Sequence, residues 1–579
     1  MGNPLLLLLT RPWSRQSRAD TRRRPVAVPT EAPSTDAIFL VLRRMRAPLV
    51  LLVVIFAVSV AGLTLIPGVD GAGQPVRMTV FDAFYFMSYT ATTIGFGELP
   101  HAFTTGQRMW VTLSIYASVV GWAYTIGTLF ALLQDEGFRQ AVLVQRVRRR
   151  VRRLDEPFLV VAGYGHAGEQ VCRALDDARR RFVVVDEDHD RIDSLAAHQL
   201  TVDPPALRAD ARNPTALGMV GLGHRHCSGV LALTDDDEAN LAIVMTVSLL
   251  RPEVPVIARC GERAVADRML DFSPATVINP GDVYGAYLTL AVQRPLTYQL
   301  LTWLMSLPGS PLPPERQRLA AGRWVVCADG QFGVEVTNDL RAAGLEVTTV
   351  DPAGGNPDVR GAVGLVAGTE HDATNLAMAE HARQENPGLV LSVRQRTHSN
   401  AALAQALNID SVYVPTELVA RETLSRIMTP VYSTFLDHVL RQDDAWSRVL
   451  LERLVERCGD RTPTPELIRI TPREAPSVVR WMRRGHLTLG DLLRDPDARE
   501  RPLPAVPVLL LRDGASTFTP ALDEPLRPGD SVLVLDGGSA TAAVSATSYD
   551  DAAVEYVATG REVPSTWLWR LLSRSTSVR

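Results

Sequence analysis

Two stretches without a charged side chain limit what this chain can become: Leu49 to Ile66, 18 residues, and Met109 to Leu133, 25 residues. A helix rises about 1.5 Å per residue, so each can cross a hydrocarbon layer of about 30 Å. Arg43, Arg44 and Arg46 stand before the first stretch, and Arg139, Arg146, Arg148, Arg149, Arg150, Arg152 and Arg153 follow the second. Only Arg77 and Arg108 lie between them. Positive residues stay on the cytoplasmic side, which predicts a two-crossing protein of the cell membrane with both termini in the cytoplasm. The first stretch begins too far into the chain, and lacks a small-residue pattern after Ile66, to be a cleaved signal.

The 579 residues leave room for about three or four domains. A net charge of −4 gives no footprint for nucleic acid. All 60 basic residues are arginine, a compositional bias rather than a device. The five cysteines form no C-x-x-C pair, so neither a zinc site nor a disulfide framework is expected. Residues 1–36, rich in arginine and proline, suit a disordered basic arm at the inner membrane surface. Ile38 to Met45 mixes apolar residues with arginine and suits the membrane interface.

Between the crossings, the run from Phe81 to Thr92 is apolar and aromatic but too short to span, and predicts a re-entrant helix. Thr93, Ile94, Gly95, Phe96 and Gly97 follow it directly, then Glu98. Extended backbone at that depth is tolerable only where protein buries it, and a column of inward-facing carbonyls can replace the hydration shell of an ion. Gly95 and Gly97 reach the backbone angles that align successive carbonyls, Ile94 and Phe96 pack outward, and Thr93 adds a hydroxyl at the inner end. The re-entrant helix aims its negative C-terminal end at the cation. Thr90 to Gly97 resembles the filter signature of potassium channels, with Ile94 for valine, Phe96 for tyrosine and Glu98 for aspartate. The resemblance implies potassium as the ion held by Thr93 to Gly97. It also implies a homotetramer in the lipid bilayer, since such a filter takes four loops. Gly121, mid-way along the second crossing, is open to two readings, a bending point and a close-packing site. Neither crossing carries an arginine ladder, so no intrinsic voltage sensor is expected.

The cytoplasmic part repeats itself. Phe158 to Ala162 is a buried-strand pattern; Gly163, Tyr164, Gly165, His166, Ala167 and Gly168 follow, then a helical pattern, then a strand Phe182 to Asp186 that ends in an acid. Glycines for a tight turn, a helix N-terminus for a pyrophosphate and a carboxylate for ribose hydroxyls make a dinucleotide fingerprint. The pattern returns at an offset of 165, placing Gly333 on Gly168 and Asp351 on Asp186. Beyond a deletion of about 30 residues it continues at an offset of 135, with Asn375 on Asn240, Arg394 on Arg259 and Pro415 on Pro280. The deletion removes the counterpart of Ala209-Asp210-Ala211, and Ala328 replaces the first glycine.

These features resemble tandem RCK domains, regulators of potassium conductance similar to the nucleotide-binding subunits of Trk-type uptake systems. The resemblance covers most of residues 156–543 and brings Asp210, Ala211, Thr234 and Asp235 toward the nucleotide. It implies NAD(H) or an adenine nucleotide as regulatory ligand in the first copy, Asp186 disfavouring NADP, and eight lobes in a ring below four pores. The expected fold class is therefore a membrane α-helical pore hairpin, two transmembrane helices plus a re-entrant pore helix, followed by two α/β Rossmann-like RCK domains and a small α+β C-terminal lobe. Expected boundaries are 37–135 for the pore, 136–155 for a linker, 156–310 and 320–460 for the two RCK lobes, 463–543 for the C-terminal lobe and 544–579 for a tail.

The acid run Asp235 to Glu238 has two readings, a divalent-cation site and a helix cap, the second being commoner. His224, His226 and Cys227 lack a further ligand at useful spacing and read as a surface turn. An oxidoreductase needs a substrate domain with a proton-transfer residue, and none stands out. An uptake or antiporter subunit would carry more crossings. The expected activity is ion conduction, not catalysis.

Overall fold

The computed structural model describes residues 27–30, 37–69, 73–98, 102–274, 276–306, 309–315 and 322–562. The expected basic arm lies outside these residues except for 27–30, and so do Trp567 and Trp569 of the tail. Residues 27–30 lie against the first RCK lobe. Val28 packs beside Gly223, and a Cβ on Gly218 would lie 2.0 Å from the Pro29 carbonyl oxygen.

The outer helix runs Ala37–Leu65 and the inner helix Thr105–Gln134; both are long and apolar enough to cross a membrane. They pack along their length. Trp110 donates its indole N–H to the Ser59 carbonyl at 3.0 Å, over Gly62, whose missing side chain makes room for the ring. Gly121 faces Leu52 and Ile55 of the outer helix, with either side chain 3.0 Å from where a Cβ would sit. Close packing is the reading the structure favours there. The pore helix Val80–Ala91 is capped by Thr79, whose hydroxyl accepts from the Asp82 N–H.

Asp135 breaks the inner helix with an extended ψ of 122° and starts a second helix, Glu136–Arg152. One carboxylate oxygen accepts the Phe138 N–H at 3.0 Å and the other takes the Arg44 guanidinium at 2.6 Å. The C-terminal end of the inner helix is thus tied to the N-terminal part of the outer. The linker is this second helix, and its Val147 and Val151 are buried in the core of the first lobe.

That lobe holds a six-stranded parallel sheet of β1 Phe158–Ala162, β2 Arg181–Asp186, β3 Ala206–Arg208, β4 Cys227–Ala232, β5 Val256–Arg259 and β6 Thr276–Ile278. Their spatial order is β3-β2-β1-β4-β5-β6, the doubly wound arrangement whose switch point lies between β1 and β4. The near-continuous valines of β1 and β2 are buried on both faces, as a parallel sheet between helices demands. The second lobe repeats it with β7 Arg323–Ala328, β8 Glu346–Val350, β9 Ala362–Gly368, β10 Val390–Arg394 and β11 Ser411–Tyr413, in the order β8-β7-β9-β10-β11. The deleted segment is the counterpart of β3, which leaves β8 at the sheet edge.

Each lobe sends a crossover helix into the other. Pro280–Gln293 leaves the first lobe and packs on Gly330–Ala342, the first helix of the second; Pro415–Met428 packs in return on His166–Asp177. Tyr284, Phe332 and Tyr413 meet at this junction, Phe332 and Tyr413 stacked with centroids 5.0 Å apart. The C-terminal lobe is a four-stranded antiparallel sheet of β12 Thr464–Arg469, β13 Ala505–Arg512, β14 Ala515–Phe518 and β15 Ser531–Asp536, in the order β12-β15-β13-β14. Helices Ala540–Tyr549 and Asp551–Thr559 bury Val544, Val554 and Val557 in its core.

Candidate functional sites

At the pore, the chain leaves its helix at Thr92 and alternates. Thr93, Gly95 and Gly97 have φ of +64°, +63° and +76°, while Ile94 and Phe96 between them are not left-handed. Alternation of left-handed and ordinary residues turns successive carbonyls to one side, which the expected ion column requires. A threonine at positive φ is uncommon, and its residue type does not foretell it. The Ile94 and Gly95 N–H groups both donate to the Tyr89 carbonyl, at 2.9 and 3.1 Å, anchoring the strip to the pore helix. Its outer end is held from behind. Tyr89 donates its hydroxyl to the Glu98 carbonyl at 2.6 Å, Tyr85 reaches the Glu98 carboxylate at 3.1 Å, and the Tyr89 and Phe96 rings meet edge to face. The hydroxyl that Phe96 lacks is thus supplied from the pore helix. Ile94 and Phe96 are 61% and 64% exposed in the single chain, so their outward faces are free for neighbouring surfaces.

At the nucleotide fingerprint, three loops meet at the ends of β1, β2 and β4. Gly163 has φ +99°, and a Cβ there would lie 2.7 Å from the Thr234 nitrogen; one on Gly168 would lie 2.0 Å from the Gly163 oxygen. Gly165 caps the next helix without a side-chain hydrogen bond, leaving its first N–H groups open to an anion. His166 is exposed at the mouth, while Tyr164 and Ala167 are buried beneath it. Asp186, 5% exposed, accepts the Tyr164 N–H at 2.6 Å and the Asp188 N–H at 2.8 Å, which fixes its carboxylate beside the loop. Thr234 is pinned by Asn240, whose amide oxygen takes the Thr234 hydroxyl at 2.8 Å and N–H at 3.1 Å. Asp210 is exposed and grips Arg212 at 3.0 Å through both oxygens, holding that guanidinium above its ordinary pKa; Ala211 is buried behind it.

Sequence reasoning passed over three cations here. Arg191 lies 3.6 Å from Asp186, from Asp188 and from Asp235, bridging loops over Gly165. Arg259 donates to the Thr234 carbonyl at 3.1 Å and pairs with Asp235. Arg212 also reaches Glu187 and Asp236. The duplicated Arg259 and Arg394 were the signal for one of them. The acid run is spent locally: Asp236 caps Asp237–Leu250, and Asp237 accepts the Gly261 and Glu262 N–H groups. Among the described residues no group of three or more His, Cys, Asp or Glu is placed to hold a metal ion.

The second fingerprint is filled. A Cβ on Gly368 would lie 2.3 Å from the Phe332 ring, which stands at the position of Ala167 and packs under Arg394. Asp329 puts a carboxylate at the helix N-cap, where an anion would approach. Among the described residues the Asp351 carboxylate accepts the Ala353 N–H of its own turn, at 2.9 Å, and no other hydrogen bond.

The ion-channel family profile matches residues 49–135 and the TrkA-N domain profile residues 159–280. By architecture the chain is a two-helix hairpin with a short helix between its spans, followed by two Rossmann-like lobes, the first of which holds the TrkA-N match. The chain is similar to an uncharacterized protein of Methanothermus fervidus, 24% identical over 43% of this chain and 38% of the relative. It is also similar to potassium channel protein 1 of Methanocaldococcus jannaschii, 23% identical over 35% of this chain and 60% of the relative. It thus spans less than two thirds of either relative's length. A solved GsuK channel bound to NAD aligns with 88% of the chain and 100% of its own, at 12% identity and a TM-score of 0.42.

Proposed function

We propose that four copies surround one axis and form a potassium-selective pore of the cell membrane, both termini cytoplasmic, gated by NAD(H) or an adenine nucleotide bound in the first RCK lobe. The observation that carries this reading is the strip of alternating φ at Thr93, Gly95 and Gly97, anchored to a short helix between two spans. The open helix N-terminus at Gly165 beside Asp186 supports the ligand class, and the filled second fingerprint supports one nucleotide per chain. Eight lobes then form the ring. Nucleotide biases the ring through its differential affinity for two ring shapes. The helix Glu136–Arg152, buried in the first lobe and joined at Asp135 to the inner helix, transmits the change.

Liposome flux of the purified protein tests this. Potassium efflux at channel rates, at least about tenfold over sodium and altered by NAD or ADP, is expected; equal passage of both ions sinks the selectivity reading, and nucleotide-blind flux sinks the gating reading. Tyr89→Phe removes the bond to the Glu98 carbonyl, with a cost of about 1 kcal/mol per copy. Flux in that variant is expected to start normally and then decay faster than in the parent. Tyr85→Phe, which loses only an exposed contact, should decay less.

A further inference from the structure

The seam between the lobes holds three acids that neither the pore nor the nucleotide site uses. Glu335 and Asp339, one turn apart on Gly330–Ala342, are 2% and 6% exposed and face Asp282 on the crossover helix Pro280–Gln293. They press into the groove at Gly281 and Gly285, where a Cβ would lie 2.3 Å from a Glu335 oxygen and 2.1 Å from an Asp339 oxygen. Asn279 and Gln331 donate to Glu335 at 3.0 and 3.2 Å. Asp339 Oδ2 and Asp282 Oδ1 are buried with no hydrogen-bond partner among the described residues. The other charges facing the cluster come from the neighbouring helix Arg263–Leu270: Arg263, whose field reaches all three acids, and Asp267.

Three ionised carboxylates against one half-buried arginine leave negative charge uncompensated in a dry seam, while a protonated carboxyl there needs no counter-ion. Burial, with repulsion from Asp267, raises Asp282, and burial, with repulsion from Asp282, pushes Glu335 and Asp339 up to about 7. The duplication supplies a control inside the molecule. At the same offsets the reciprocal seam has Gln170 for Glu335, Ala174 for Asp339, Thr416 for Gly281 and Ala420 for Gly285. That seam keeps an acid, Glu417, at the position of Asp282 but forms between the same two kinds of helix without the buried pair, so helix packing does not require Glu335 and Asp339.

We propose that Asp282, Glu335 and Asp339 form a proton-binding switch at one of the two lobe seams, held together when protonated and loosened when ionised. The folded seam binds protons that separated helices, with carboxyl pKa near about 4, would release. Seam stability is therefore greatest in acid, falls as pH rises above that unfolded value, and has been lost once pH passes about 7. The proton then acts as an effector separate from nucleotide, biasing the lobes through its own differential affinity.

Hydrogen exchange of the full-length protein in lipid nanodiscs tests this without reading a current, so failure of ion conduction would leave its outcome untouched. Between about pH 6 and about pH 8.5, after correction for intrinsic exchange, protection in 280–293 and 330–342 is expected to fall at least about tenfold more than in 415–428 and 166–177. Glu335→Gln/Asp339→Asn should remove the difference, and Glu335→Gln alone, which copies Gln170, should reduce it. Equal falls at both seams, a difference that persists in the double variant, or one undiminished in Glu335→Gln, overturns the proposal.

Discussion

Gly97→Ala and Gly95→Ala are each expected to abolish potassium-selective flux in liposomes while leaving the assembled protein intact by size-exclusion chromatography. Their φ values of +76° and +63° lie where an L side chain costs about 1–2 kcal/mol, and four copies meet that cost around one axis. Among the described residues, no atom outside the glycine and its two chain neighbours lies within 4 Å of a Cβ at either site, so the loss comes from backbone conformation rather than collision. Gly127→Ala in the inner helix is the control. It too meets open space, but on ordinary helical backbone, where alanine favours the helix by about 1 kcal/mol. Selective flux should survive there. Retained selectivity in both filter variants would refute the carbonyl-column reading.

The spans, the re-entrant helix and the buried strands of the two fingerprints were legible because each rests on a local rule. Charge-free length marks a crossing, valine runs mark buried parallel strands, and an acid at the end of β2 has one typical use. The duplication was legible as an offset, and with it the loss of the segment matching the end of the third strand; that β8 is left at the sheet edge is seen only in the fold. What stayed hidden depends on partners distant in sequence. Asp135 looked like an ordinary residue after an apolar run until Arg44, 91 residues earlier, was seen to hold it. Arg191 is one arginine among sixty, and only the fold brings it to Asp235. Residues 27–30 belong to a stretch whose composition predicts disorder, yet Val28 meets a patch where Gly218 and Gly223 offer no side chain. Phe332 drew no notice in the sequence, since its stacking on Tyr413 follows from the exchange of crossover helices.

That difference between the two fingerprints sets up the second large effect. In the first lobe, both carboxylate oxygens of Asp186 accept backbone N–H groups, from Tyr164 and from Asp188. Asn at this position must turn its NH2 toward one of those donors, which leaves two donors face to face in a buried site and withdraws the charge from the ribose hydroxyls. Asp186→Asn is expected to weaken NAD or ADP binding to the full-length protein by about 30-fold, or about 2 kcal/mol, in calorimetry. Asp351→Asn should leave affinity unchanged, with about one nucleotide per chain in both the parent and this variant, if the ring of Phe332 and the N-cap carboxylate of Asp329 keep a ligand out of the second fingerprint as proposed. Two nucleotides per chain, or equal weakening by the two substitutions, would show that the degenerate copy binds after all. The aromatic junction of Tyr284, Phe332 and Tyr413 would then have to open to admit it, and Phe332→Ala would be the variant to tighten that second site.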